Sequence, residues 1–466
     1  MTPANPSLPD AVDLANPGSF HVLGVAGPGM SAVAILLSRM GHRVSGCDLR
    51  DAPVMTTLRS KGVDAVVGHA EDHVDGAQVI IWPTGFPQDH PEMLRARGTG
   101  LAVVHRSAAL RAVSAAHDST GVLGTHGKTT TTSLLTHILR SAGRDPSFYI
   151  GAEVPQWGTG ADAGSDGTLV IECDESDDSA SSVLLRSAVL TNVDADHLDR
   201  YGDIDGVEAE YSSIVSRLDG DLVVCGDDPR AVRVAGSAVG ATVCTYGFGP
   251  MNEVRVEEPR QTPGGITFGL TTGGETLQVE LPLRGRHNAL NCAAAVAMAV
   301  RIGVDSLAAV DAVAGFGGVE RRFAEMGESR GALLVDDYAH LPAEIDAVVR
   351  TARDHPSRTG RVIAVFQPNR YHRVQSMAGD YASCFGSADR VYVTDIYASG
   401  TLPIPGVTGE LVADAVRSAH PDVVWARTRE ELVAAVAGDL RPGDVCISMG
   451  CGDISEFPRQ VMEHRP

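Results

Sequence analysis

Apolar positions along the chain follow two alternating rhythms. Short runs rich in Val, Ile and Leu read as buried strands: Phe20 to Gly24, Val44 to Gly46, Gln78 to Trp82, Leu101 to Val104, Thr168 to Ile171, Ala188 to Leu190, Ala332 to Val335, Val362 to Phe366, Arg390 to Val393 and Val445 to Ser448. Between them, apolar residues recur at helical spacing over Ser31 to Met40, Ala289 to Val300, Ala343 to Asp354, Thr408 to Ser418 and Arg429 to Leu440. Leu134, Leu135, Ile138 and Leu139 share one helical face, with Gly143 as a stop. Strands alternating with helices predict an α/β chain. Residues 241–284 break the rhythm. There T-V-C-T-Y-G-F, V-R-V, I-T-F-G-L and L-Q-V-E-L-P-L alternate and are cut by Gly pairs, which predicts a small antiparallel β insertion.

A chain of 466 residues has room for about three domains. The breaks in pattern divide it into a loose N-terminal tail (1–18) and domains at 19–112, 113–317 and 318–466. Aromatic residues make up 5%, so the cores must be aliphatic. A net charge of −21 argues against nucleic-acid or anionic-membrane partners, while leaving room for a local phosphate site. The eight cysteines are scattered without C-x-x-C, and most lie in apolar runs, so buried reduced thiols are expected rather than disulfides or a metal cluster. No signal peptide and no apolar run of membrane-spanning length is evident, so a cytoplasmic protein without membrane insertion is expected.

The sharpest chemical signal is G-V-L-G-T-H-G-K-T-T-T-T (121–132), a glycine-rich turn between the strand end Val122-Leu123 and a helix. Gly124 and Gly127 let the backbone turn tightly and bring its N–H groups close to phosphate oxygens. Lys128 would reach the β/γ-phosphates and the Thr129 hydroxyl a Mg²⁺ ion. The strict G-x-x-x-x-G-K-[ST] pattern fails at Val122, so a plain strand-to-helix turn with an exposed lysine stays open. A second glycine-rich turn, G-V-A-G-P-G-M (24–30), precedes a helix, with Asp48 about 20 residues on. Diphosphate binding of a nucleotide is favoured there over a nicotinamide site or a structural turn. E-C-D-E-S-D (172–177) and T-N-V-D-A-D-H-L-D (191–199) put polar groups at strand C-termini, where Glu172 and His197 could join Thr129 around a divalent cation. A solvated acidic loop and a satisfied loop histidine stay open as alternatives. Asn288 and Asn291 open an alanine-rich helix, and D-D-Y-A-H (336–340), Q-P-N-R-Y-H-R (367–373) and T-D-I-Y (394–397) form further polar strand ends.

Together with E-R-R-F (320–323) and P-I-P-G-V (403–407), these motifs stand in register with the Mur ligase family, which the chain resembles from Phe20 to Ile454, most closely the branch that adds L-alanine. The resemblance implies three domains: a Rossmann-like N-terminal domain for a UDP sugar, a central P-loop ATPase domain, and a Rossmann-like C-terminal domain for the amino acid. It implies ATP-dependent, ADP-forming amide ligation of L-alanine to the lactyl carboxylate of UDP-N-acetylmuramate in peptidoglycan synthesis, by a monomer or weak homodimer. By the same resemblance, Gly124, Thr125, His126, Gly127, Lys128, Thr129 and Thr130 hold the phosphates of ATP. Asn288, Asn291, Arg322, Asp337 and His340 make its remaining contacts. Thr129, Glu172 and His197 are Mg²⁺ ligands, direct or through water. Gly24, Gly27, Gly29, Met30 and Asp48 bind the UDP sugar. Tyr338, Arg370 and Arg373 serve the amino acid, and Lys128, Glu172, His197 and Arg373 are the catalytic set.

The chain departs from the family at Ala26, Leu341 and Asn369, which touches the finer substrate contacts. Sister ligases carry a carbamoylated lysine soon after the histidine matching His197. Leu198 to Ser216 contains no lysine, as in the L-alanine branch. Three other readings stay open: a ligase for a preformed peptide, a nucleotide-binding regulator without turnover, and an oxidoreductase using the first glycine-rich turn. Closure of the third domain over the second is expected to protect an acyl phosphate from water.

Overall fold

The computed structural model describes residues 14–176 and 179–464. Most of the expected N-terminal tail lies outside the described residues. Three sheets organise the chain. The first contains β1 (Ser19–Leu23), β2 (Arg43–Asp48), β3 (Asp64–Val67), β4 (Val79–Trp82) and β5 (Ala102–His105), in the order β3-β2-β1-β4-β5. All its pairings are parallel. Reversal of strand order on either side of β1 opens a crevice at its C-terminal end. The 24–30 turn leads from there into the helix Pro28–Arg39.

The second sheet has ten strands: β6 (Asp118–Leu123), β7 (Ser147–Val154), β8 (Thr159–Asp162), β9 (Thr168–Glu172), β10 (Ser187–Leu190), β11 (Asp221–Cys225), β12 (Thr242–Gly247), β13 (Val254–Thr262), β14 (Gly265–Thr272) and β15 (Glu275–Leu281). Their order is β15-β14-β13-β12-β11-β10-β6-β9-β7-β8. β6 lies between β9 and β10, parallel to both, so the loop after it faces the ends of both acidic strands. One expectation is corrected here. T-V-C-T-Y-G-F does not begin an antiparallel insertion: β12 runs parallel to β11 through five residue pairs, and β13 joins it in parallel at Tyr246 and Gly247. Alternation reveals a half-buried strand and says nothing of its direction. Tight turns at Pro263-Gly264 and Gly273-Gly274 then reverse the chain from β13 to β14 and from β14 to β15.

The third sheet holds β16 (Ala324–Ser329), β17 (Ala332–Asp337), β18 (Val362–Phe366), β19 (Arg390–Thr394), β20 (Val423–Ala426) and β21 (Val445–Met449), in the order β16-β17-β21-β18-β19-β20. Only β16 is antiparallel to its neighbour. The chain gathers into two compact units. One runs to Glu257 and takes in Gly269–Val279 and Leu290–Val319; the other holds Glu258–Phe268, Glu280–Ala289 and the chain from Glu320. Cores on both faces of the parallel sheets are aliphatic, with Val22, Leu123, Leu190, Val335, Val365 and Ile447 all but fully buried. Among the described residues, no helix is long and apolar enough to cross a membrane.

Candidate active site

The loop after β6 is shaped by glycines that cannot be replaced. Gly124 has φ +122° and Gly127 φ +82°. A Cβ on Gly124 would strike the Thr191 hydroxyl, and one on Gly127 the Asn291 amide. The next strand end clasps the loop from below. Asn192 Oδ1 accepts from the His126 N–H at 2.8 Å, and Thr191 Oγ1 donates to the His126 carbonyl at 2.7 Å. Thr125 Oγ1 accepts from the Asp194 N–H at 2.9 Å, and the His126 ring meets Asp194 Oδ2 at 3.0 Å. That contact holds the Asp194 carboxyl below its usual range.

The helix Lys128–Ser141 begins at Gly127 with no side-chain cap, so the amides of its first turn are oriented for an anion. Two hydroxyls of its run bond back into the helix: Thr132 donates to the Lys128 carbonyl at 2.8 Å, and Ser133 to that of Thr129 at 2.7 Å. Leu134, Leu135, Ile138 and Leu139 face the core.

Lys128 Nζ donates to the Gly124 carbonyl at 2.7 Å and to Glu175 Oε1 at 2.9 Å. Burial works against its charge, yet Glu175 and Asp174 outweigh it, and its pKa lies above the ordinary lysine value. Glu175 was not singled out from the sequence. It is 4% exposed, and burial lifts its carboxyl to about 7 against the pull of Lys128. Its signal was its place in E-C-D-E, three residues after Glu172. Glu172 ends β9 and is buried rather than set in a solvated loop. It accepts from Thr129 Oγ1 at 2.8 Å and from the Gly151 N–H at 2.7 Å, while burial still raises its pKa. His197 follows β10 in the left-handed region (φ 51°) and meets Asp196 Oδ2 at 3.3 Å. Thr129 and Glu172 are thus brought together, and two hard oxygen donors at a phosphate loop fit Mg²⁺.

At the first glycine-rich turn, Gly24 has φ +63° and Gly27 caps the helix Pro28–Arg39 without a side-chain bond. A Cβ on Gly29 would run into the Arg106 guanidinium. Asp48 is the last residue of β2, not just past it. Its Oδ2 accepts from the Ala26 N–H and its Oδ1 from the Arg50 N–H, each at 3.1 Å, so it holds the turn's shape. Met30, at the start of the helix Pro28–Arg39, is 2% exposed and packs in the core cluster.

The second unit gathers the other candidates. Asp337 ends β17, and its two oxygens accept from the Phe323 and Ala339 N–H groups at 2.7 Å each. Burial raises its carboxyl to about 6, while the Arg322 charge opposes the rise. Arg322 lies 5.4 Å from the Tyr338 ring centre. The His340 N–H donates to Glu344 Oε2 at 2.9 Å, and its Nδ1 is 3.2 Å from the Tyr338 carbonyl. Asn288 Nδ2 donates to the Arg284 carbonyl at 2.7 Å as the helix Arg286–Arg301 starts. Arg370 has φ 60° and donates its N–H to the Tyr397 carbonyl at 2.9 Å. Arg373 lies on the helix Tyr371–Met377, not in a loop. It is 6% exposed, and its Nη1 donates to Asn369 Oδ1 at 2.9 Å.

A parallel-sheet phosphate loop, a buried lysine behind it and a carboxylate–threonine pair beside it define a nucleotide-triphosphate-using α/β enzyme. The chain belongs to the Mur ligase family. Residues 19–118 match the model of the Mur ligase family catalytic domain, 122–299 that of the Mur ligase middle domain, and 321–452 that of the Mur ligase glutamate ligase domain. The UDP-N-acetylmuramate–L-alanine ligase of Thermobifida fusca (strain YX) is 39% identical over 99% of this chain and 99% of its own. The ligase of the same name from Rubrobacter xylanophilus is 39% identical over 95% and 99%. The solved structure of UDP-N-acetylmuramate-alanine ligase MurC from Thermotoga maritima superposes with a TM-score of 0.79 at 26% identity, covering 96% of this chain and 98% of that one.

Proposed function

We propose that the chain is an ATP-dependent ligase that joins L-alanine to the lactyl carboxylate of UDP-N-acetylmuramate through an acyl phosphate. The observation that carries this reading is the likeness, across nearly the whole chain, to relatives named for that reaction. In this scheme residues 19–112 take the UDP sugar through Gly24, Gly27 and Gly29, with Asp48 keeping that turn in shape. Residues 113–317 take ATP through the loop amides of 124–130. Residues 318–466 take the amino acid through Tyr338, Arg370 and Arg373. Asn288, Asn291, Arg322, Asp337 and His340 complete the ATP contacts.

A carboxylate does not condense with an amine at neutral pH, because hydroxide is a poor leaving group. Transfer of the γ-phosphoryl group gives the acyl carbon a phosphate leaving group, and the neutral amine then displaces it. The chain contributes positioning and charge: Lys128 supplies a fixed positive point at the β/γ-phosphates, and the α-helix dipole at Gly127 adds to it. Glu175 keeps that ammonium at the loop. Thr129, Glu172 and His197 would hold Mg²⁺, which supplies charge neutralisation on the phosphates when bound.

Lys128→Ala tests the scheme. ADP release in the presence of both acceptors should fall by at least a hundredfold while the circular dichroism spectrum is unchanged; turnover near wild type would remove the phosphate role. Glu172→Gln should raise the Mg²⁺ concentration needed for half-maximal rate, and an unaltered Mg²⁺ titration would take Glu172 out of the metal shell.

A further inference from the structure

Against the first sheet lies a cluster to which the proposed reaction gives no role. Glu92, on the helix Pro91–Gly98, is 0% exposed and carries five polar neighbours. Cys47 Sγ donates to its Oε1 at 3.2 Å, and the Ala70 N–H to the same oxygen at 3.3 Å. His69 Nδ1 lies 2.9 Å and His90 Nδ1 3.4 Å from Oε2, and His73 Nδ1 lies 3.1 Å from Oε1. Cys47 Sγ is in turn 3.2 Å from His69 Nδ1 and 3.4 Å from His21 Nε2. His21 and Cys47 are themselves 1% and 0% exposed.

We propose that His21 Nε2, Cys47 Sγ and a Glu92 carboxylate oxygen, which lie within 4.8 Å of one another, form, with His69 Nδ1 drawn in from its contacts on Cys47 and Glu92, a binding site for a borderline-soft divalent transition metal of the Zn²⁺ class. Three arguments carry this. The first is spacing. Ligands about 2.0–2.3 Å from a tetrahedral metal stand roughly 3.3–3.8 Å from one another; the contacts at Cys47 Sγ, 3.2–3.4 Å, lie at the lower edge of that range, and the 2.9 Å contact of His69 on Glu92 lies below it. The metal would need only a small outward shift of its donors. The second is ligand chemistry. One thiolate, two imidazoles and one carboxylate are a zinc-type set, unlike the all-oxygen shell that Mg²⁺ takes.

The third is the support behind the donors. Ser45 Oγ donates to the Phe20 carbonyl, so it accepts from His21 Nδ1–H at 2.9 Å. That tautomer leaves the Nε2 lone pair aimed at Cys47, as outer partners do for ligating histidines. His73 and His90 stay on the Glu92 oxygens as outer partners. On binding, the Cys47 S–H bond breaks, its proton leaves to buffer, and the sulfur electron pair forms the metal bond; no oxidant or reductant takes part.

The test uses the untagged full-length chain, stripped by chelator and titrated with Co²⁺ in buffer free of Mg²⁺ and nucleotide. One equivalent should bind, giving the visible bands of four-coordinate Co²⁺ and a thiolate-to-cobalt charge-transfer band, both displaced by Zn²⁺. Cys47→Ser should lose the charge-transfer band. Ser45→Ala should weaken binding by roughly 10–100-fold through the loosened His21. Absence of those bands from folded wild-type chain overturns the proposal, as does a charge-transfer band that survives in Cys47→Ser. Should Cys47→Ser fail to fold, X-ray absorption of the zinc-loaded wild type decides: one sulfur at about 2.3 Å with nitrogen and oxygen at about 2.0 Å supports the site, and a shell without sulfur overturns it.

Discussion

Lys128 and Arg373 are two cations held in different ways. Lys128 is gripped by a carbonyl and a buried carboxylate at the mouth of a helix. Arg373 is buried on a short helix, and its Nη1 donates to Asn369 Oδ1. Asn369 holds one nitrogen of the guanidinium and so helps aim the arginine. A planar guanidinium can bond Asn369 and still present a two-toothed face to a carboxylate, which an ammonium cannot. Arg373→Lys should therefore lose a charge-assisted bond worth roughly 1.5–3 kcal/mol. At about 1.4 kcal/mol per decade that is about a 10- to 150-fold rise in the KM for L-alanine, with the KM for ATP little changed. Steady-state kinetics with each substrate varied in turn would check this, and an equal rise for ATP would remove Arg373 from the amino-acid site. Backbone strain marks the same regions: His197, Arg321, Phe323 and Arg370 all have φ between 50° and 60°. Non-glycine residues there cost of order 1–3 kcal/mol each and tend to gather at functional sites.

Among the elements, the helix Arg286–Arg301 carries an acid-sensitive group at its start. Burial, helped by the Arg322 charge and opposed by Glu344, lowers the His287 pKa from 6.5 to about 4. Between those values the unfolded chain binds the proton and the folded chain does not. Stability from this residue is thus complete above pH 6.5 and drains away as pH falls toward 4. At about 1.4 kcal/mol per pH unit, less what solvent recovers for a half-buried ring, ~1–2 kcal/mol is at stake. Urea midpoints for His287→Gln should fall less between pH 7 and pH 4.5 than those of wild type; parallel losses in both would place the acid sensitivity elsewhere.

Strands flanked by glycine-rich turns were legible because period and turn chemistry agree, as at Val122-Leu123 before Gly124 and at Val362 to Phe366. The direction of β12 was not, since pairing partners are set by tertiary context. The edge strands β3, β8, β16 and β20 were missed, being only four to six residues long, and so were the interior strands β7 and β11, despite their apolar runs Phe148 to Ile150 and Leu222 to Val224. The helix Tyr371–Met377 that carries Arg373 was not read from the sequence, where Q-P-N-R-Y-H-R shows only a polar stretch after the strand Val362 to Phe366. Glu175 was hidden in an acidic run whose burial no sequence pattern reveals. The His21, Cys47, His69 and Glu92 cluster comes from β1, β2, the turn after β3 and a distant helix, a spacing with no local signature.

Across the whole molecule, three family-model matches and relatives aligned end to end bind the separate readings into one reaction. The central claim concerns what that reaction joins. ADP release should be measured with UDP-N-acetylmuramate and ATP while L-alanine, glycine, L-serine and the preformed tripeptide are supplied in turn. The account predicts release that depends on the sugar nucleotide, is fastest at saturating L-alanine, and yields one new amide per ADP by mass spectrometry. Release driven best by the tripeptide, or ADP formed without any amide, would contradict it.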